Sequence, residues 1–283
     1  MADPRLTPAR PDLAAEHLRG VIDAKRYTSA ARRAILAPVT PMLRHRDVTL
    51  PADTELLRGE RIDVYERSGD WVWGQSVRDG YVGFIAAADV AVGEQPAVSH
   101  AIDVLASRCH AVPELKSPSA HPLPFGAGVT VIEERGDFAL IARGPDLWIA
   151  RDHLRRLDKA RSDWVATAEM FLGVPYVWGG RSSFGLDCSA LVQLALQAAG
   201  RDCPRDSDMQ EAALGATLSP GTPPKRGDLL FWRGHVGIVS DTQTLLHATA
   251  HGMQVRRERL SQAIDRIKNS EYGEVTRHAR LDG

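Results

Sequence analysis

Three residues of this 283-residue chain have the types and settings for thiol chemistry: Cys188, His235 and His247. Cys188 stands where a glycine-rich loop (Gly179, Gly180, Gly185) meets apolar residues at helical spacing, Leu191, Leu194, Ala195 and Ala198, with Gly200 to stop the helix. Asp187 is placed to cap that helix through its carboxylate. Cys188 is then expected at the positive end of the helix dipole, a position that favours the thiolate. A free thiol is only slightly ionised at neutral pH, so cleaving an amide requires a histidine to take the proton and return it to the leaving amine. A third polar group should orient that histidine. His235 opens the apolar run Val236-Gly237-Ile238-Val239, and His247 closes the next one, Thr244-Leu245-Leu246. A hairpin of these runs would set the two imidazoles side by side, with His247 fixing the tautomer of His235. A histidine taken alone is more often structural; the joint pattern with Cys188 points to catalysis.

Other chemistries fit less well. His247 and His251 have the i, i+4 spacing of a zinc pair, but Gly252 follows and no Glu lies between them. Gly179-Gly180 lacks the Lys and Ser/Thr of a phosphate loop. No metal and no cofactor is expected.

The elements that must position these residues lie in 159–283. A helix capped by Ser162 and running past Ala166 and Ala168 to Phe171 is expected first, ending near Gly173-Val174-Pro175. The Cys188 helix, a turn at Cys203–Ser207 and a short helix near Met209–Leu214 follow. Strands Asp228–Trp232, Val236–Val239 and Thr244–His247 complete a small sheet. Helices first and antiparallel strands after them indicate an α+β domain.

Upstream, the pattern is all-β and repeated. In 36–92, Ile62–Tyr65, Trp71–Trp73 and Tyr81–Ile85 alternate with the turn signals Gly69-Asp70 and Asp79-Gly80. In 98–158, Gly126-Ala127-Gly128-Val129-Thr130-Val131 aligns with Gly59–Val64, and Gly136-Asp137-Phe138 aligns with Gly69-Asp70-Trp71 at the same offset. Phe84-Ile85 then aligns with Trp148-Ile149. Two small β-barrels joined by a linker near Gly93–Pro96 are expected. Residues 1–35 read as an arm with a helix capped by Asp12 and striped by Leu13, Leu18, Val21 and Ile22.

Composition adds exclusions. Charged residues make up 25% and hydrophobic residues 43%, as in ordinary globular proteins. A net charge of −1 offers no field for nucleic acid or an anionic membrane. Three scattered cysteines, Cys109, Cys188 and Cys203, form no disulfide framework. No apolar h-region follows Met1-Ala2-Asp3-Pro4-Arg5, so the expected compartment is the cytoplasm, the alternative being export.

Four motifs occur in one order: Pro175-Tyr176-Val177-Trp178-Gly179-Gly180, Leu186-Asp187-Cys188-Ser189, Arg226-Gly227-Asp228-Leu229-Leu230-Phe231-Trp232, and Gly234-His235-Val236-Gly237-Ile238. They resemble the NlpC/P60 family of cell-wall cysteine peptidases, and the repeats upstream resemble bacterial SH3-like domains. The resemblance implies an α+β, papain-like catalytic domain (159–283), two SH3-like barrels (36–92 and 98–158) and an N-terminal helical arm (1–35). It implies Cys188 as nucleophile, His235 as general base and acid, and His247 as the third polar residue. Tyr176 would support the oxyanion and Trp178 would wall the pocket. Asp187, Ser189, Asp206 and Ser207 would read the substrate, with Glu60 and Tyr81 of the first barrel clamping a free amine; the second repeat has Ala127 where the first has Glu60. The implied partner is a murein stem peptide, L-Ala-γ-D-Glu-diamino acid, cut after D-glutamate. An exported endopeptidase acting on intact wall, a scaffold protein keeping an inactive fold, and acyl transfer on the same residues are the competing readings.

Overall fold

Glycine turns set the strand boundaries of the first half. The computed structural model describes residues 3–142 and 147–281. Two units divide the chain, Met1–Lys159 and Ala160–Gly283.

The first unit holds two β substructures with separate cores, one around Ile35, Met42, Leu56, Ile62, Val72 and Ile85, the other around Ile102, Cys109, Leu123, Val129, Ile141 and Ile149. The repeat read from the sequence recurs in detail. Gly69 and Gly136 both adopt positive φ, at 58° and 56°. After each, a backbone N–H closes onto the aspartate carbonyl, Ala87 onto Asp70 at 2.7 Å and Arg151 onto Asp137 at 2.8 Å. Thr40 Oγ1 donates to Asp89, and at the equivalent place Ser107 Oγ meets His153 Nδ1. The two substructures touch closely: Gly128 N–H donates to the Arg58 carbonyl at 2.7 Å, and a Cβ on Gly59 would lie 2.5 Å from the Gly128 carbonyl oxygen.

The arm differs from expectation. No α-helix forms over 13–22. Ala14–Ala15 pairs in parallel with Tyr27–Thr28, and one 3-10 turn spans Glu16–Leu18. The periodic residues are not used as a stripe: Leu13 packs on Trp73 and Phe84, while Val21 stays 77% exposed. Gly20 at φ 79° breaks the segment. The first β substructure also begins earlier than residue 36, because Ala31–Ala34 pairs with Arg61–Val64. Arg32 and Arg33 disguise this strand, since Arg32 lies on the outer face against Asp63.

The second unit is α+β, as expected. A six-stranded antiparallel sheet has the order Ala216–Thr217, Arg277–Arg280, Asp228–Trp232, His235–Asp241, Thr244–Thr249, Gln254–Arg259. The helix Cys188–Ala198 packs on the His235–Asp241 strand and is buried at every position except Gln197. A helix buried at nearly every position must be enclosed, and this one lies between the sheet and the helix Trp164–Glu169. That flanking helix is capped by Asp163, whose carboxylate accepts from Ala166 N–H at 2.9 Å, and not by Ser162. The sheet has twice the three strands expected, and the helix Leu260–Lys268 was also absent from the sequence reading.

Candidate active site

Asp187 has a β-region backbone and caps the Cys188 helix, accepting from Ala190 N–H at 2.9 Å. The same carboxylate accepts from Ser189 Oγ at 3.0 Å and from Gly179 N–H at 3.2 Å. Arg205 grips both its oxygens, at 3.0 and 2.7 Å, and also donates to Ser189 Oγ and the Gly180 carbonyl. The Arg205 side chain is 1% exposed. A fork-shaped guanidinium thus ties the glycine loop, the cap and the first helical turn together. The backbone N–H groups of Val236 and Ser189 face the Cys188 sulfur. Val236 follows His235, so this contact seats the thiol against the start of the histidine strand.

The other half of the site is a diagonal line across three strands. The middle pair has Ile238 opposite Leu246; continued by one residue, Gly237 stands beside His247. His235, two residues before Gly237, is therefore the diagonal neighbour of His247 on one face. Its Nε2 lies 2.9 Å from His247 Nδ1. On the next pair, Arg256 is opposite His247 and Glu258 opposite Leu245, which makes Glu258 diagonal to His247 on that face. His247 Nε2 lies 2.8 Å from Glu258 Oε2. Arg266, one helix later, pairs with both oxygens of Glu258. The rings of Trp232 and Tyr272 each pack 5.6 Å from that of His235.

Burial dominates the electrostatics. It pushes the Cys188 thiol up to about 12, helped by the Asp187 carboxylate, against the two N–H groups at the sulfur. It pushes His235 down to about 3, and the neighbouring His247 and Arg266 act in the same direction. Burial thus acts against the charged form of both partners. Desolvation therefore opposes the thiolate that the helix dipole favours. Burial lowers His247 as well, against the pull of Glu258. Glu258 is held down at about 2, first by its hydrogen bond with His247 and then by Arg266, against burial. Burial raises the Tyr176 hydroxyl, and the neighbouring Cys188, Asp187 and Tyr272 add to it. Tyr176 therefore stays a neutral hydroxyl that can donate.

Cys188, His235, His247, Asp187, Ser189 and Tyr176 are thus assembled in one place. Tyr176 is held by its N–H to the carbonyl of Met253, the one described non-glycine residue at positive φ (53°). Trp178, on the same loop, is 68% exposed. Asp206 and Ser207 open the helix Ser207–Ala213 directly after Arg205. Glu60 and Tyr81 lie in the other unit. The Glu60 carboxylate accepts from Leu57 N–H at 3.0 Å and pairs with Arg78 at 2.9 Å. Tyr81 is buried in the first β core. Ala127 occupies the place of Glu60 in the second repeat, and it too is buried.

Arg205, Glu258, Arg266 and Tyr272 escaped the sequence reading. Arg205 adjoins the Asp206-Ser207 pair and was visible to that extent. Glu258 sits in Gln254-Val255-Arg256-Arg257-Glu258-Arg259, a charge run that reads as a solvated face. Among the described residues no group of three or more His, Cys, Asp or Glu could hold a metal ion, and His251 takes no part in the relay.

Comparison with known proteins agrees with this geometry. Residues 173–278 match the NlpC/P60 family, and residues 49–90 match the bacterial dipeptidyl-peptidase SH3 domain. The chain is 36% identical over 111 residues to a γ-D-glutamyl-L-lysine dipeptidyl-peptidase of Bacillus subtilis, covering 36% of this chain and 36% of that protein. It is 24% identical over 247 residues to the protein of the same name from Bacillus cereus, covering 80% of this chain and 73% of that one. A crystal structure of an NlpC/P60 family protein from Bacillus cereus shares the fold, with a TM-score of 0.74 at 18% identity, covering 89% of this chain and 99% of that one.

Proposed function

We propose, from the match of residues 173–278 to the NlpC/P60 family, that the chain is a cysteine peptidase that hydrolyses the γ-D-glutamyl–diamino acid bond of peptidoglycan stem peptides with a free N-terminal L-alanine. The observation that carries the reading is the junction of Cys188 with the His235–His247 pair beside the Asp187–Ser189–Arg205 cluster. The relatives named as γ-D-glutamyl-L-lysine dipeptidyl-peptidases support the bond.

The chemistry follows from the placement of the thiol against the start of the His235 strand. A substrate amide entering the site displaces water and presents its carbonyl carbon to Cys188. The sulfur forms a bond to that carbon, and the carbonyl π pair moves to oxygen. The thiol proton passes to His235. The Cys188 N–H, at the first helical position, has no intrahelical acceptor and can face the oxyanion together with the Tyr176 hydroxyl. Collapse breaks the C–N bond, and His235 returns the proton to the leaving amine. His235 then activates water to release the thioester.

Recognition of a free amine rests on carboxylates. Asp187 is already paired with Arg205, so its charge is spent internally, and Ser189 is shared by both. Glu60 pairs with the half-exposed Arg78, so a substrate ammonium would have to take the place of Arg78 there. The proposed substrate is a turnover peptide and not intact wall. Cys109, Cys188 and Cys203 are buried thiols outside any disulfide, which suits a reducing compartment and favours the cytoplasm. The aromatic face at Trp73 and Phe84 is covered by the chain's own Arg10 and Leu13, which favours a first barrel that serves the chain itself over a wall anchor.

The test is a digest of free L-Ala-γ-D-Glu-L-Lys, its diaminopimelate counterpart and intact sacculi. Release of L-Ala-γ-D-Glu from the free peptides, with sacculi untouched, is expected. Cleavage of sacculi with the free peptides spared would establish the exported endopeptidase instead. No cleavage of any of the three would refute both.

A further inference from the structure

His235 has two ring nitrogens, and Nε2 is engaged with His247. Only Nδ1 remains to serve the thiol, so Nδ1 must be unprotonated at rest and Nε2 must carry the hydrogen. His247 Nδ1 must then be the acceptor, which puts the hydrogen of His247 on Nε2. That hydrogen needs an acceptor in turn, and Glu258 Oε2 stands 2.8 Å away. The reverse arrangement would direct the bare Nε2 of His247 at an ionised carboxylate, two acceptors facing each other. A relay of two neutral imidazoles thus has one consistent orientation, and the group that selects it is at its far end.

We propose that Glu258 is a positioning residue for the peptidase reaction: by accepting from His247 Nε2–H it imposes one tautomer on both imidazoles and leaves His235 Nδ1 as the base for Cys188. When His235 takes the thiol proton, its Nε2–H stays donated to His247, and the Glu258 carboxylate faces the new positive charge through one ring. Arg266 pairs with Glu258 from the following helix and keeps it ionised. The other charged and titratable groups bearing on the line are Arg256, opposite His247, and Tyr272, against the ring of His235. The proposal rests on Cys188 and His235 as the reacting pair and is independent of which peptide is cut.

The direct test needs no substrate. Long-range 1H–15N correlation spectra of the wild-type protein should show His235 and His247 both protonated at Nε2. His247 found protonated at Nδ1 would overturn the proposal. In Glu258→Ala the His247 Nε2–H should lose its unique assignment; in Glu258→Gln, whose carbonyl can still accept, the tautomer should persist. Kinetics on L-Ala-γ-D-Glu-L-Lys supply the second arm. Glu258→Ala should lower kcat by about 10- to 100-fold, the range found when an outer partner orienting a histidine is removed, with KM within about twofold. Glu258→Gln should restore most of that loss. An unchanged kcat in Glu258→Ala, or a loss carried by KM alone, would refute the proposal. If the wild-type chain fails to cleave the peptide, the substrate reading falls while the tautomer measurement still decides on Glu258.

Discussion

The two halves of the active site end alike, each in a carboxylate held by an arginine, yet they are buried differently. On the helix side, Asp187 is gripped by Arg205, with side chains 12% and 1% exposed. On the sheet side, Glu258 is gripped by Arg266, at 12% and 30%. Asp187 accepts from a helix N–H, a loop N–H, a hydroxyl and a guanidinium, so it knits together the first helical turn, the glycine loop and the stretch at Arg205. Glu258 touches one imidazole and one arginine at the rim. The difference teaches that the first pair builds the nucleophile's seat, whereas the second orients protons on a seat already built.

The largest effect separates chemistry from construction. Cys188→Ala or His235→Ala should lower kcat/KM at least about 10⁴-fold, since nucleophile and base act as a unit. Denaturant unfolding should find the Cys188→Ala protein within about 1–2 kcal/mol of the parent, the loss of one small buried group. Residual turnover within tenfold of the parent would remove Cys188 from the mechanism.

Next, Asp187→Ala should destabilise by about 3–5 kcal/mol, because it strands a buried guanidinium and removes the helix cap. Urea unfolding measures this directly. A loss below 1 kcal/mol would erase the contrast between the halves, as would an equal loss in Arg266→Ala. That second substitution, at a part-exposed pair, should cost no more than about 1 kcal/mol.

The resting thiol offers a finer test. With Cys188 raised to about 12, its alkylation by iodoacetamide should keep rising through the alkaline range with no plateau near neutrality. A plateau beginning below pH 7 would mean that a thiolate–imidazolium pair exists before substrate arrives. The smallest effect is a stability limb. Glu258 has its folded pKa lowered to about 2 from 4.5, so its contribution is complete above pH 4.5 and is lost as pH falls through 2. Over that window the parent should lose more stability than Glu258→Gln; parallel curves would deny the carboxylate its partners.

Legibility followed the same division. The helix half could be read because its signals are local: a cap, a cysteine, apolar residues at helical spacing, a stopping glycine. His235 and His247 could be paired because each lies at the end of an apolar run, and a hairpin brings such ends together. The strand bearing Glu258 was hidden because four of its six residues are charged and only Val255 is buried. The Ala31–Ala34 strand was hidden for a like reason, and the stripe over 13–22 suggested a helix that Gly20 and the Ala14–Ala15 pairing prevent.

By itself, then, the sequence singled out Cys188, His235 and His247 as candidates, the α+β class of the second unit and the repeat upstream, all carried by residue type and short-range period. The tertiary structure alone decided the surroundings of those residues. Enclosure between helix and sheet desolvates Cys188 and His235, which pushes the thiol up and the imidazole down, and strand register places Glu258 diagonally behind His247. Both depend on which distant segments are packed together, and no local spacing records that.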